Sequence, residues 1–134
     1  MEVSYNPILN VNQVLSLYES VGWTNYTKNP QMLEVALERS LLTIAVFDQE
    51  RLVGLLRAVG DGASILFIQD LLVLPAYQRQ GIGRQLVQAC LANYPEVYQV
   101  HLLTDQTEKT ATFYQSLGFQ GVEELACRAF TLVK

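Results

Sequence analysis

The stretch that most constrains this chain is Asp70-Leu71-Leu72-Val73-Leu74-Pro75-Ala76-Tyr77-Gln78-Arg79-Gln80-Gly81-Ile82-Gly83-Arg84-Gln85-Leu86. Ser64–Leu74 is apolar and rich in strand formers, and Pro75 ends it. A polar loop, Ala76–Gln80, leads into Gly81–Tyr94, where Ile82, Leu86, Ala89 and Cys90 lie along one side of a helix until Pro95 stops it. Val97–Leu103 then alternates as a strand. Strand, helix and strand in this order suit a parallel, right-handed crossover. The turn carries chemistry as well as topology. The start of a helix leaves backbone N–H groups unpaired and bears partial positive charge, and glycine lets a ligand approach that backbone closely. A phosphate or pyrophosphate is the natural guest of such a turn. Arg79 and Arg84 add positive charge beside it.

The rest of the chain fills in around this unit. Val3 and Tyr5 open a short strand, Asn12 caps a helix carrying Val14, Leu15, Leu17, Tyr18 and Val21, and Gly22 ends it. Trp23–Pro30 reads as a polar loop, with Pro30 as the first residue of a second helix. Leu41–Phe47 and Leu52–Val59 form an antiparallel hairpin, and Gly60-Asp61-Gly62 turns the chain into the third long strand. Thr107–Leu117 is a helix closed by Gly118, and Gln120–Val122 with Ala126–Val133 form a final hairpin. The order β-α-α-β-β-β-α-β-α-β-β implies a mixed α/β fold: a central, mostly antiparallel sheet with helices on both faces.

With 134 residues, the whole of 1–134 is expected to be one domain. Lys plus Arg number 9 and Asp plus Glu 13, a net charge of −4. This balance disfavours nucleic acid as a partner, because phosphate-backbone binders carry a basic surplus. One local anion site is compatible with it. Two cysteines, Cys90 and Cys127, and a single histidine, His101, fit neither a disulfide framework nor a metal centre. Cys90 and Cys127 read as packing residues and His101 as a satisfied or edge histidine. The first residues lack a basic, apolar leader and no run is long enough to span a membrane, so a cytoplasmic protein without a membrane partner is expected. Exposed sheet edges suit pairing as a homodimer.

The turn does not fit the commonest anion-binding fingerprints. Leu86 stands where the dinucleotide motif G-x-G-x-x-G needs its third glycine, and G-x-x-x-x-G-K-[ST] is absent. Gln78-x-x-Gly81-x-Gly83 after a strand ending Val-Leu-Pro instead resembles motif A of the GNAT acetyltransferase superfamily. Phe113-Tyr114-Gln115-Ser116-Leu117-Gly118-Phe119 resembles that family's F-Y-x-x-L-G-F signature. The resemblance spans about Tyr5 to Val133. It implies a sheet with a splayed strand pair at a cofactor cleft, and acetyl-CoA as co-substrate, with no metal. The acetyl group would pass directly to a primary amine of a small molecule. It further implies that the pyrophosphate sits on Gln78, Arg79, Gln80, Gly81, Ile82, Gly83 and Arg84. Leu71, Leu72 and Val73 would run along the pantetheine arm and supply an oxyanion donor. Tyr114 would be the proton donor to the leaving thiolate and a cofactor contact.

This chain departs from the family's pattern in two places. Gln69-Asp70 stands where several relatives carry Glu-Asp, so Gln69 replaces the candidate general base. Side chains alternate along a strand, so Asp70 faces the other way. Asp70 can act as a base through water, orient a substrate amine, or anchor a loop. Thr107 replaces an asparagine that lies near the pantetheine in relatives, and can hydrogen-bond the cofactor or cap its helix. The substrate region falls to the first two helices and their loop. There, Trp23 and Tyr26 can wall a pocket or stack on a cationic amine, and Trp23 can equally anchor the loop to the core. Arg57, on an otherwise apolar strand, needs a partner: Asp70, Asp61, or an acidic substrate. The missing glutamate leaves room for a catalytically silent CoA-binding module, and acetylation of peptides or proteins is a further alternative.

Overall fold

A computed structural model describes all residues from Met1 to Lys134. Residue contacts group the chain into two units, Met1–Leu103 and Thr104–Lys134. The first contains a five-stranded sheet in the order β1 (Glu2–Tyr5), β2 (Leu42–Asp48), β3 (Arg51–Gly60), β4 (Ile65–Val73), β5 (Gln99–Leu102). Neighbours pair antiparallel from β1 through β4, and β5 joins β4 in parallel.

Three helices precede β2. The first, α1 (Val11–Ser20), buries Val14, Leu17 and Tyr18, and its cap is Asn10 instead of the expected Asn12: the Asn10 carboxamide accepts from the N–H groups of Asn12 and Gln13. The expected loop after Gly22 contains one short helix, α2 (Thr24–Thr27). Pro30 starts α3 (Pro30–Arg39), capped by Asn29. The crossover helix α4 is Ile82–Asn93 and buries Ile82, Leu86, Val87 and Cys90. Burial pushes the Cys90 thiol up to about 11, which keeps it a neutral packing group.

The two faces of the sheet are covered differently. A Cβ added at Gly54 on β3 would meet Ile82 Cγ2 at 3.0 Å and Leu86 Cδ1 at 3.3 Å, so glycine lets the start of α4 press onto the sheet there. Arg57 lies three residues on, where alternation turns the side chain to the opposite face, and Asp70 links it to Tyr18 of α1. Gln13 of α1 fastens the helix to the β2–β3 hairpin: its carbonyl accepts from Leu52 N–H at 2.7 Å and its amide donates to Glu50 O.

The second unit holds α5 (Glu108–Ser116) and a 3₁₀ turn, Val122–Leu125. The expected terminal hairpin is absent. Val122 belongs to the 3₁₀ turn, Ala126 takes a left-handed conformation (φ 58°), and residues 127–134 form no strand. A two-stranded pair is marginal alone, and the arm expected at Gln120–Val122 is too short and interrupted to template the longer one.

Candidate active site

The loop between β4 and α4 is built from the end of β4 outward. Leu74 N–H donates to Val53 O, and Pro75–Tyr77 makes one 3₁₀ turn. The Tyr77 hydroxyl donates to the Asp48 carboxylate at 2.7 Å, while Arg51 lies 5.7 Å from the Tyr77 ring centre, so the β2–β3 turn braces the loop. Asp48 is half-buried and partnered there. The Gln78 side-chain amide donates to Val73 O at 3.0 Å, and that of Gln80 to Ala76 O at 3.5 Å. Both side chains therefore brace the loop.

Two residues of this loop have left-handed backbones: Arg79 (φ 65°) and Gly81 (φ 82°). For arginine that conformation costs about 1–2 kcal/mol, so the fold holds it in place. Gly81 is also the N-cap of α4, and no side chain caps that helix. The N–H groups that open the helix, from Ile82 and Gly83, thus have no capping side chain and face outward for an acceptor. A Cβ at Gly81 would meet nothing within 4 Å, so the space in front of this turn is open. An extended pyrophosphate fits such a donor set.

Beside the loop, β4 and β5 part. Their parallel pairing covers Ile65–Ile68 against Gln99–Leu102 and then stops, while β4 continues to Val73. Leu71, Leu72 and Val73 remain paired with Leu56, Leu55 and Gly54 of β3, so only their β5 side is released. The pairing with β3 shifts by one residue: Arg57 faces Asp70 and Ala58 faces Ile68, which leaves Gln69 as an extra, exposed residue. Gln69 is thus exposed while Asp70 beside it is buried.

On the α1 side of that bulge lies a closed polar cluster. Asp70 Oδ2 accepts from Arg57 Nε at 2.8 Å and from the Tyr18 hydroxyl at 2.7 Å. Its Oδ1 accepts from the Tyr26 hydroxyl at 3.3 Å. The two remaining nitrogens of Arg57 donate to Ser40 Oγ and to the Tyr26 hydroxyl. Asp70 is 3% exposed and Arg57 6%. Burial works against the charge on Arg57, but the Asp70 carboxylate outweighs it and raises the guanidinium above its ordinary value. Burial, reinforced by the Asp70 charge, raises Tyr18 well above an ordinary phenol, so it stays a donor.

Of the three partners for Arg57, Asp70 is the one it takes. Asp61 instead closes the β3–β4 turn, accepting from the N–H groups of Ala63, Ser64 and Ile65 and from the Ser64 hydroxyl. Of the three roles for Asp70, the anchor matches its surroundings; as a base it would have to abandon a buried ion pair on taking a proton. Tyr26 turns its ring toward a cation of the protein itself, with Arg57 5.9 Å from the ring centre. Trp23 packs against Tyr18, ring centres 6.0 Å apart, which is the anchoring arrangement. Tyr18 escaped the sequence reading because it sits within an apolar helical stripe. Its signal was the hydroxyl, since a buried tyrosine needs a partner for it.

In the second unit, Tyr114 is half-buried between Phe113 and Phe119, ring centres 4.9 and 5.7 Å away. Burial, with help from the Asp105 charge, raises its hydroxyl above the ordinary value, so it carries its proton at neutral pH. Thr107 caps α5: its hydroxyl accepts from Thr110 N–H and donates to Asp105 at 2.6 Å.

Residues 38–121 match the family described as Acetyltransferase (GNAT) domain. The chain belongs to the GNAT acetyltransferase family. A GNAT-family acetyltransferase of Streptococcus pneumoniae TIGR4 is 44% identical, covers 99% of this chain and 97% of its own, and superimposes with a TM-score of 0.90. An uncharacterized N-acetyltransferase of Gracilaria tenuistipitata var. liui is 27% identical over 87% of this chain and 65% of its own length. The chain spans about half to two thirds of the curated relatives it matches. The PaiA N-acetyltransferase of Thermoplasma acidophilum in complex with coenzyme A shares the fold (TM-score 0.71, 17% identity, 90% of this chain and 91% of that one). The mixed, mostly antiparallel sheet of this chain is thus that of its family. No helix in it is long and apolar enough to cross a membrane.

Proposed function

We propose that this acetyltransferase uses acetyl-CoA to acetylate a primary amine of a small molecule, with residues 1–134 acting as one catalytic domain. The observation that carries the reading is the uncapped start of α4 at Gly81, set beside a β4 strand released from β5. Backbone N–H groups of the Gln78–Arg84 loop would hold the pyrophosphate, with Arg79 and Arg84 adding charge. The released edge of Leu71–Val73 would take the pantetheine amides and offer a donor to the developing oxyanion.

In the reaction the neutral amine nitrogen attacks the thioester carbonyl. The C–N bond forms, the C–S bond breaks, and the thiolate leaves. Tyr114, protonated at neutral pH, is assigned to protonate that thiolate. The amine's own proton passes to solvent water, since Gln69 has no basic atom and Asp70 is committed to Arg57. We assign Asp70 the anchoring role: with Arg57, Tyr18 and Tyr26 it fixes the bulge from which Leu71–Val73 depart.

The test is turnover of acetyl-CoA against a panel of small amines, read by release of free thiol. Thiol release with an acetylated amine is expected; tight CoA binding with no turnover on any amine would make the chain a silent binding module. Tyr114→Phe should lower kcat by about 10²–10⁴-fold, the usual worth of a positioned proton donor. A rate within about twofold of the parent removes Tyr114 from that role.

A further inference from the structure

We infer that Tyr77 is a positioning residue for acetyl-CoA: held by Asp48 and Arg51, it presets the backbone of the Gln78–Arg84 loop in its ligand-ready shape. This rests on the reading of that loop as the pyrophosphate site. Its basis lies in the β2–β3 turn. Asp48 and Arg51 pair across the hairpin, on either side of a two-residue turn in which Gln49 has a left-handed backbone (φ 55°). Residues directly opposite on an antiparallel pair project to one face of the sheet. A carboxylate and a guanidinium are therefore presented together, and Tyr77 engages both. Its hydroxyl donates to Asp48 Oδ2 at 2.7 Å, and its ring centre lies 5.7 Å from the Arg51 guanidinium carbon. The bond to Asp48 raises the Tyr77 hydroxyl above its ordinary value, so it stays a donor at neutral pH. The turn is itself fixed to α1, because Gln13 bonds both Glu50 O and Leu52 N–H.

The clamp meets a need of the loop. Arg79, two residues beyond Tyr77, is left-handed (φ 65°). In a residue other than glycine such a backbone persists only where its surroundings over-determine it. The amides of Gln78 and Gln80 bond Val73 O and Ala76 O, which holds the loop to its own beginning. Tyr77 ties it to a separate element, the hairpin turn. Released from Asp48, the loop spends part of its time in shapes whose N–H groups no longer converge on one acceptor. Affinity for the cofactor falls by that fraction, while the acetyl transfer that follows binding is untouched.

Tyr77→Phe keeps the ring and removes the hydroxyl. It is expected to raise the KM for acetyl-CoA and the calorimetric Kd of CoA by about 10-fold, the low end for a hydrogen bond to a charged group. The amine KM, and kcat at saturating acetyl-CoA, should stay within about twofold of the parent, the pattern of lost cofactor binding alone. Asp48→Ala should match Tyr77→Phe, and the two together should lose no more than either one. Asp48→Asn keeps an acceptor oxygen and should recover most of the affinity. In the protein without CoA, trypsin should cut after Arg79 faster in Tyr77→Phe than in the parent. Parental CoA affinity in Tyr77→Phe, a loss that falls on kcat, additive losses in the double variant, or unchanged cleavage after Arg79 would each overturn the inference while leaving the loop assignment standing. Equal CoA affinity in the parent and Gly81→Val would overturn the loop assignment, and this inference with it.

Discussion

The Asp70 cluster and the Gln78–Arg84 loop lie within one unit, and they spend their polar groups in opposite ways. In the cluster, every buried polar side-chain atom has a partner inside the protein. In the loop the side chains of Gln78 and Gln80 are committed, while the first-turn N–H groups of α4 have no capping side chain. A saturated cluster resists change and holds shape; an unsaturated backbone turn has capacity left for a ligand. The difference separates what positions this site from what binds in it, although both are rich in charged and polar residues.

Substitutions should therefore act on different readouts in the two regions. Asp70→Ala strands the Arg57 guanidinium in a buried site and is expected to cost about 3–5 kcal/mol in denaturant unfolding, the usual penalty for breaking a buried pair. A loss below about 1 kcal/mol would mean that the cluster is not a structural unit. Tyr18→Phe leaves the ion pair but removes a donor to a carboxylate, worth about 1.5–3 kcal/mol. It also has a pH signature. Tyr18 is raised in the folded protein above its ordinary value of 10.0. Its contribution is thus fully present below pH 10 and is lost as pH rises beyond that, because only the unfolded chain gives up the proton there. The stability gap between parent and Tyr18→Phe should narrow above pH 10; a gap independent of pH would contradict the assigned bond. Gln78→Ala should leave unfolding almost unchanged. It is expected to weaken CoA by about 2–10-fold, since the brace it removes is one neutral hydrogen bond of about 0.5–1.5 kcal/mol.

The sequence carried the loop well and the cluster poorly, for physical reasons. A strand stopped by Pro75 and a helix opened by Gly81 are local patterns, and local geometry made them what they are. The cluster joins residues as far apart as Tyr18 and Asp70, 52 positions along the chain, and no local pattern predicts that bond. Arg57 was conspicuous because a lone arginine in an apolar strand demands a partner; which one it takes depends on the bulge at Gln69. The terminal hairpin failed for the opposite reason. Cys127–Val133 has the alternation of a strand, but alternation specifies a face and supplies no neighbour to pair with.

The central claim is that the open turn at Gly81 is the cofactor's anchor, and calorimetric titration of CoA into the parent and Gly81→Val tests it most directly. The left-handed backbone makes valine unfavourable by about 1–2 kcal/mol, and the space around the position is open, so the chain should still fold. That same space would receive the side chain in place of the pyrophosphate. CoA affinity is expected to fall by about 100-fold or more, equivalent to losing one to two charge-assisted hydrogen bonds. A folded Gly81→Val protein that binds CoA within about twofold of the parent would contradict the assignment of this turn.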